Sequence, residues 1–332
     1  MRILVTGATG FVGSVLVPRL IEQYGSESVA AYVLPGDRLP ASWEHAGIAL
    51  IHGDITALDR LLKAVDGKSH VIHLAGLISY WRPDFDGLMR VNYLGTKTVV
   101  NACLRAGVQR LVHISSVGAV GFRRRGEPID ESTAFNWPPI FHYMSSKHLG
   151  QLVVEQAVRR HGLNGIIFNL ASVMGPGDFN LQTPHNQLYG RVYKGRMVGS
   201  FSGGLGVVDV RDVAALIIKG LDQGEVGQKY LVVGANLRYP EVLRMIGKYA
   251  RRRVYPFPIP GPLVSMAGLS LEMVSRLTRK RPLLTYAYGR LSGWTTFYSN
   301  SKSRRDFSHE YIPVEETVRD ACRYFETTFI AG

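Results

Sequence analysis

The sequence predicts an α/β fold: a doubly wound parallel sheet with a smaller, partly interleaved C-terminal lobe. Three observations predict it. Short apolar runs alternate with amphipathic segments through the first half of the chain. The runs are separated by helix-length stretches, as parallel pairing requires. A glycine-rich turn, Gly7, Gly10 and Gly13, stands between the first apolar run and the first amphipathic one. With 332 residues, 46% hydrophobic and 20% charged, the chain can bury a large core, and bulk disorder is excluded.

The elements follow in order. Arg2–Thr6 reads as a buried strand, and Phe11–Tyr24 as a helix interrupted by Pro18. Val29–Leu34 and Ile48–Ile51 are the second and third strands, Leu58–Val65 a helix and Val71–Leu74 a strand. Two long helices, Phe85–Ala106 and Phe141–His161, flank the strand Leu111–Ser115, and Gly165–Asn169 is a further strand. Right-handed crossovers put such helices on both faces of a sheet. At Gly175–Asp178 (GPGD) the character changes. A glycine-rich stretch covers 195–206, strands are expected at Val207–Val210 and Tyr230–Val233, and an apolar segment, Leu263–Leu277, ends in basic residues. The expected division is a sheet domain over 1–175, with late strands within 207–234 returning to it. A substrate lobe then spans 176–206 and 235–332.

TGATGFVG, residues 6–13, follows a strand and opens a helix. Glycine lets the backbone approach a phosphate, and unpaired N–H groups at the helix start bind the anion, so this turn is expected to hold a dinucleotide. The second strand ends Val33-Leu34-Pro35 with no acid to take the ribose hydroxyls, and Arg38 follows closely; this points to NADP, with NAD as the alternative. Tyr143 and Lys147 in YMSSK share a helix face at i, i+4. A phenol is a poor base at neutral pH; a neighbouring ammonium is expected to lower its pKa. Ser115 and Ser116 lie at a strand's C-terminal end, the edge where such sheets bind ligands, and either hydroxyl could hold a substrate oxygen.

TGATGFVG, GDIT, HLAG, VNYLGT, HISS, YMSSK and GPGD together resemble the extended short-chain dehydrogenases/reductases. The likeness runs over nearly the whole chain. It is strongest to the branch of dihydroflavonol reductases, 3β-hydroxysteroid dehydrogenase-like enzymes and hopanoid-associated sugar epimerases, whose late patterns are similar to residues 204–214 and 298–307. The resemblance implies a Rossmann domain and an NAD(P)-dependent enzyme. It implies Ser116, Tyr143 and Lys147 as the catalytic set, Lys147 also holding ribose. It implies cofactor contacts from Gly7, Thr9, Gly10, Phe11, Val12, Gly13, Arg38, Asp54, Ile55, Asn92 and the segment His73–Gly76 with Leu74, Ala75 and Gly76. Residues Asn169–Val173, including Ala171 and Val173, would pass the nicotinamide. The branch often carries an arginine where Leu34 stands. By analogy the two long helices would pair in a homodimer.

For the reaction, Ser116 is followed by Val117-Gly118 rather than the Asp-Glu pair of sugar-nucleotide dehydratases, so dehydration is not expected. An epimerase would need cations for a diphosphate, for which Arg191, Lys194 and Arg196 are candidates. Tyr80, Trp81, Tyr255, Phe257, Leu263, Met266, Leu269, Met273 and Trp294 would form either core or a pocket for an apolar ketone or alcohol. The leading expectation is an oxidoreductase acting on such an apolar small molecule. A nucleotide-sugar epimerase and a non-catalytic NAD(P)-binding sensor or assembly protein are the alternatives.

The net charge of +13 fits anionic ligands or surfaces. The clusters Arg123-Arg124-Arg125, Arg251-Arg252-Arg253 and Arg279-Lys280-Arg281 read as solvated loops, no nucleic-acid motif accompanies them, and residues 261–281 could rest on a membrane surface. Cys103 and Cys322 lack metal-ligand spacing, so no metal and no disulfide scaffold is expected. A reducing cytoplasm is the expected location, since the first residues are a strand and no apolar run reaches about 18 residues.

Overall fold

A computed structural model describes residues 1–40, 43, 46–123, 128–181, 184–195 and 198–330. The first half builds β1 (Ile3–Thr6), α1 (Phe11–Tyr24), β2 (Val29–Val33), β3 (Ala49–His52), α2 (Leu58–Val65) and β4 (His70–His73). There follow α3 (Phe85–Leu88), a π-helical stretch Met89–Gly95, α4 (Thr96–Ala106), β5 (Arg110–Ser116), α5 (His142–His161), β6 (Gly165–Leu170) and β7 (Ser172–Met174). The second half adds α6 (Pro184–Tyr193), β8 (Val198–Phe201), β9 (Gly204–Asp209), α7 (Val210–Asp222), β10 (Lys229–Val232) and β11 (Ala235–Arg238). It ends with α8 (Tyr239–Tyr249), β12 (Tyr255–Ile259), α9 (Gly261–Thr278), α10 (Tyr286–Ser292), α11 (Ser301–Asp306) and α12 (Val314–Phe329).

Seven strands form one parallel sheet in the order β10-β6-β5-β4-β1-β2-β3. The strand order reverses between β1 and β4, the crevice where open α/β sheets bind ligands. Leu16, Val17 and Leu20 of α1 join Val213, Leu216 and Ile217 of α7 in the core on one face. Leu61 of α2, Val99 of α4 and Val154 of α5 fill the other. The inner strands are buried on both faces, which explains the unbroken apolar runs that first mark them in the sequence, while the edge strand β3 is largely exposed.

Three corrections follow. Of the two late strands, only β10 returns to the main sheet. β9 pairs instead with β7 and β11 in a three-stranded sheet that packs on α8 and α12. Both are short apolar runs, and periodicity alone does not say which edge a run joins. The segment Phe85–Ala106 is helical throughout but not one α-helix, because its π turn widens the ladder around Asn92. Most of the apolar side chains expected in the C-terminal core or pocket, Tyr255, Phe257, Leu263, Met266, Leu269 and Met273, are exposed. The reason is local. α9 packs on α10 through small residues: an added Cβ at Gly268 would come within 2.5 Å of the Thr285 carbonyl oxygen, and one at Gly289 within 2.7 Å of Ser265 Cα. The seam takes glycine and serine and leaves the large side chains outside. Among the basic clusters, Arg124 and Arg125 lie outside the described residues, as does Arg196.

Candidate functional site

A cavity of about 500 Å³ runs along the C-terminal ends of the central strands. At one end it is walled by the glycine turn after β1. Gly7 and Gly13 are glycines because the protein itself fills the space. A Cβ on Gly7 would lie 2.5 Å from Ala75 N, and one on Gly13 would lie 2.2 Å from the Ala8 carbonyl oxygen. Gly7 also sits at φ +67°, a conformation that L side chains rarely adopt. Gly10 differs: its nearest neighbour to a Cβ is the Gly7 carbonyl oxygen at 3.3 Å, and its open side is the cavity. Gly10 is the N-cap of α1, so free N–H groups and the positive end of the helix dipole face that space. These features fit a dinucleotide pyrophosphate.

Leu74 and Gly76 close the crevice from β4, and Ala171 and Val173 from the end of β6 and from β7. At the far end stand Ser116, Tyr143 and Lys147. The first turns of α5 bring Tyr143 and Lys147 down onto β5, where Lys147 Nζ donates to the Ile114 carbonyl oxygen at 2.9 Å. The Ser116 hydroxyl hydrogen-bonds the Tyr143 phenol and accepts the Gly118 N–H at 3.1 Å. Ser115 also borders the cavity, but its hydroxyl, on the alternate side of the strand, donates to Gln151 Oε1 at 3.1 Å.

The electrostatics depart from the expectation. Burial raises the Tyr143 pKa above its ordinary value, and the Ser116 hydrogen bond only partly opposes it. Burial lowers Lys147 to about 8. In the protein alone, the ammonium thus does not bring the phenol down, because desolvation is the larger effect on both groups.

Phe11 and Val12, at the start of α1, also line the cavity, whereas Thr9, Arg38, Asp54, Ile55, Ala75 and Asn92 lie around it rather than in its wall. Thr9 Oγ1 donates to Asp37 Oδ2 at 2.7 Å, and Asp37 also accepts the Leu34 N–H at 3.1 Å, which fixes the turn after β2. Arg38 is exposed, its guanidinium 6.0 Å from the Phe179 ring. Asp54 accepts from the Thr56 N–H and hydroxyl and pairs with Arg90 at 2.8 Å, while Ile55 is buried against Gly95. Ala75 contributes backbone against Gly7.

Asn92 and His73 act from behind the wall. Asn92 Oδ1 accepts the Leu77 N–H at 2.8 Å, and its Nδ2 donates to the Leu77 carbonyl and to Ser146 Oγ, both at 2.9 Å. It thereby ties the loop after β4 to α5. His73 does not line the cavity; its ring is buried between Thr6 Oγ1 (2.8 Å) and Thr96 Oγ1 (3.0 Å). Burial, reinforced by the Lys147 charge, lowers it to about 3. Its neighbour His113, with ring centroids 5.2 Å apart, is held well below its ordinary pKa by burial and by His73 and Lys147.

Beyond Tyr143 the wall is aromatic. Tyr80 packs 5.8 Å from Tyr143 and 5.2 Å from Tyr288; Trp137, Met144, Tyr239, Leu291 and Tyr298 complete it. Sequence reasoning found Tyr80 and missed the rest, except that Tyr298 falls in a late pattern already noted. They come from loops and helices far apart in the chain, so no spacing could join them. Arg191 and Lys194 do not line this cavity. Among its described lining residues Lys147 is the one cation, with no carboxylate.

Comparison with known proteins follows the same lines. Sterol demethylase protein B of Methylococcus capsulatus is 29% identical over 332 residues, 98% of each chain. A putative dihydroflavonol 4-reductase of Synechocystis is 28% identical over 333 residues, covering 97% of this chain and 94% of that one. The crystal structure of gox2253 superposes with a TM-score of 0.85 at 29% identity, covering 99% of this chain and 98% of the other. UDP-glucose 4-epimerase of Thermotoga maritima shares the fold, with a TM-score of 0.80 at 19% identity and 99% of each chain covered. The model of the NAD dependent epimerase/dehydratase family matches residues 3–234, and this chain belongs to that family as an NAD(P)-dependent oxidoreductase of the extended short-chain type.

Proposed function

We propose that this protein transfers hydride between a nicotinamide dinucleotide and the carbonyl or alcohol carbon of an apolar small molecule. The observation that carries the substrate class is the wall beyond Tyr143. It is built from Tyr80, Trp137, Met144, Tyr288 and Leu291, and among the described lining residues it offers no arginine or second lysine to a sugar-nucleotide diphosphate. Two relatives bear names of sterol and flavonol chemistry, which supports the same reading.

The nicotinamide ring supplies or accepts the hydride. Tyr143 Oη gives its proton to the substrate oxygen in reduction and recovers it in oxidation; the elevated pKa of the buried phenol suits the donor role. The Ser116 hydroxyl, already on the phenol, orients the substrate oxygen. Lys147 holds ribose and places positive charge beside the phenol, favouring the phenolate when the tyrosine must act as base. We assign NADP as the preferred cofactor, because Asp37 is consumed by its own turn while Arg38 remains exposed and can meet a 2′-phosphate. Arg38→Ala should weaken NADPH binding more than NADH binding; equal losses would remove the assignment. We further assign a homodimer paired through α4 and α5, which sedimentation velocity checks.

The main test is a screen of NADPH and NADH oxidation against steroid, terpenoid and long-chain ketones beside UDP- and dTDP-sugars. Turnover of apolar ketones, abolished by Tyr143→Phe, is the expected result. Turnover of nucleotide sugars alone would replace this reading with epimerisation.

A further inference from the structure

Many of the exposed large apolar side chains gather away from the cavity, on and around α9. Leu263, Met273, Val274 and Leu277 are exposed on α9 at helical spacing, and Met266 stands at the edge of this stripe, over the second cavity shared with α10. Met266 is 65% exposed, Met273 61% and Leu277 86%. β12 leads directly into α9 and adds Tyr255 and Phe257, 69% and 72% exposed, and Leu283 beyond the helix is 86% exposed. Such an area on a folded chain marks an interaction surface.

Its charge says what covers it. Between 251 and 283 the chain carries Arg251, Arg252, Arg253, Arg276, Arg279 and Lys280, all exposed, besides Arg281, which pairs with Asp84, against one acid within the stretch, Glu272. That acid is turned inward, accepting the Tyr286 N–H at 3.2 Å. A second copy would bring like-charged clusters together on a chain of net charge +13. An anionic bilayer matches both halves of the pattern, taking the apolar face into the acyl boundary and the cations onto its headgroups. No helix of the described residues is long and apolar enough to cross a membrane. We propose that α9, with β12 and the flanking cations, is a docking face that lies in the surface of an anionic lipid bilayer.

The face is joined to the cavity at two places. Arg281, three residues beyond α9, pairs with Asp84 at 3.0 Å and donates to Ser79 Oγ at 2.8 Å, holding the loop that carries Leu77, Ile78 and Tyr80 into the cavity wall. Under the start of α9 lies a second cavity of about 410 Å³, lined by Met266 and Trp294. Trp294 stacks on Trp137 of the first cavity's wall at 5.9 Å. Both contacts tie the docking face to side chains and loops of the cavity wall. Docking itself does not depend on which substrate is turned over.

The test is co-sedimentation of the full chain with vesicles of phosphatidylcholine alone and of phosphatidylcholine mixed with phosphatidylglycerol. The wild type should pellet with the mixed vesicles and be released by raised ionic strength. The triple variant Met266→Glu, Met273→Glu, Leu277→Glu should stay in the supernatant, with unchanged circular dichroism and NADPH affinity showing that it is folded. Arg276→Gln, Arg279→Gln, Lys280→Gln should lower partitioning on the order of a hundredfold, since each juxtamembrane cation is worth about fivefold. Wild type that stays in solution with both vesicle types overturns the proposal. So does a change in oligomeric state on introducing the three glutamates, read by light scattering, which would make α9 a contact between copies.

Discussion

Helices α5 and α9 are of similar length, 20 and 18 residues, and invert the usual relation between composition and burial. α9 is the more apolar, yet only Val264, Ser265, Gly268 and Ser275 are buried in it. α5 is rich in polar groups, yet buries Tyr143, Ser146, Lys147 and Gln151 along one side. The difference lies in what each helix packs against. α5 lies on the main sheet, where every one of those polar groups finds a partner: Ser116, Asn92, the Ile114 carbonyl and Ser115. Burial with partners is tolerable, and it creates a dry site in which a proton can be controlled. α9 touches the protein through a seam of small residues, so its apolar side chains face outward.

The comparison can be broken from either end, and the largest effect is expected at α5. Lys147→Met should reduce kcat by about 10²-fold or more. It should also raise the melting temperature at pH 7. A lysine drawn from its ordinary value down to about 8 has its charge disfavoured by folding, a cost present in full below pH 8 and lost as pH rises toward 10.5. A fall in melting temperature at pH 7 would mean that α5 gives up no stability for its buried charge.

The buried histidines behind α5 sharpen the same point. Both have folded pKa values depressed below the unfolded 6.5, so the stability of their neutral burial is present above that pH and is lost as pH falls. Between about pH 6 and 4, His73, lowered to about 3, should remove up to about 1.4 kcal/mol per pH unit, and His113 acts in the same direction. Urea unfolding at three pH values measures the slope, and His113→Phe should make it shallower.

Smaller effects come from packing. Gly150 on α5 lies so close to the π turn that a Cβ would stand 2.2 Å from the Asn92 carbonyl oxygen. Gly150→Ala should therefore cost about 1–3 kcal/mol in denaturant unfolding, despite the better helix propensity of alanine. Leu277→Ser on α9 should change stability by no more than about 0.5 kcal/mol, because its side chain is already in solvent. A large loss there would show that α9 is covered within the chain.

The sequence by itself determined the parallel sheet, because buried strands must be apolar and crossovers need helix-length spacers. It also marked Gly7, Gly10, Gly13, Tyr143 and Lys147, since the glycine turn and the i, i+4 pair are local patterns that one helix start and one helix face can express. It left Ser115 and Ser116 alike; strand alternation together with Gln151 on a distant helix separated them in space. It could not tell that Asn92 lies on a π turn binding Leu77 and Ser146, that β9 leaves the main sheet, or that Tyr239, Tyr288 and Tyr298 meet around one cavity. Nor could it tell that α9 turns its leucines outward, since apolar periodicity reports a face to be covered and only packing against α10 shows that this chain does not cover it. Contacts between segments far apart in the chain have no spacing to read, so the tertiary structure alone decided them.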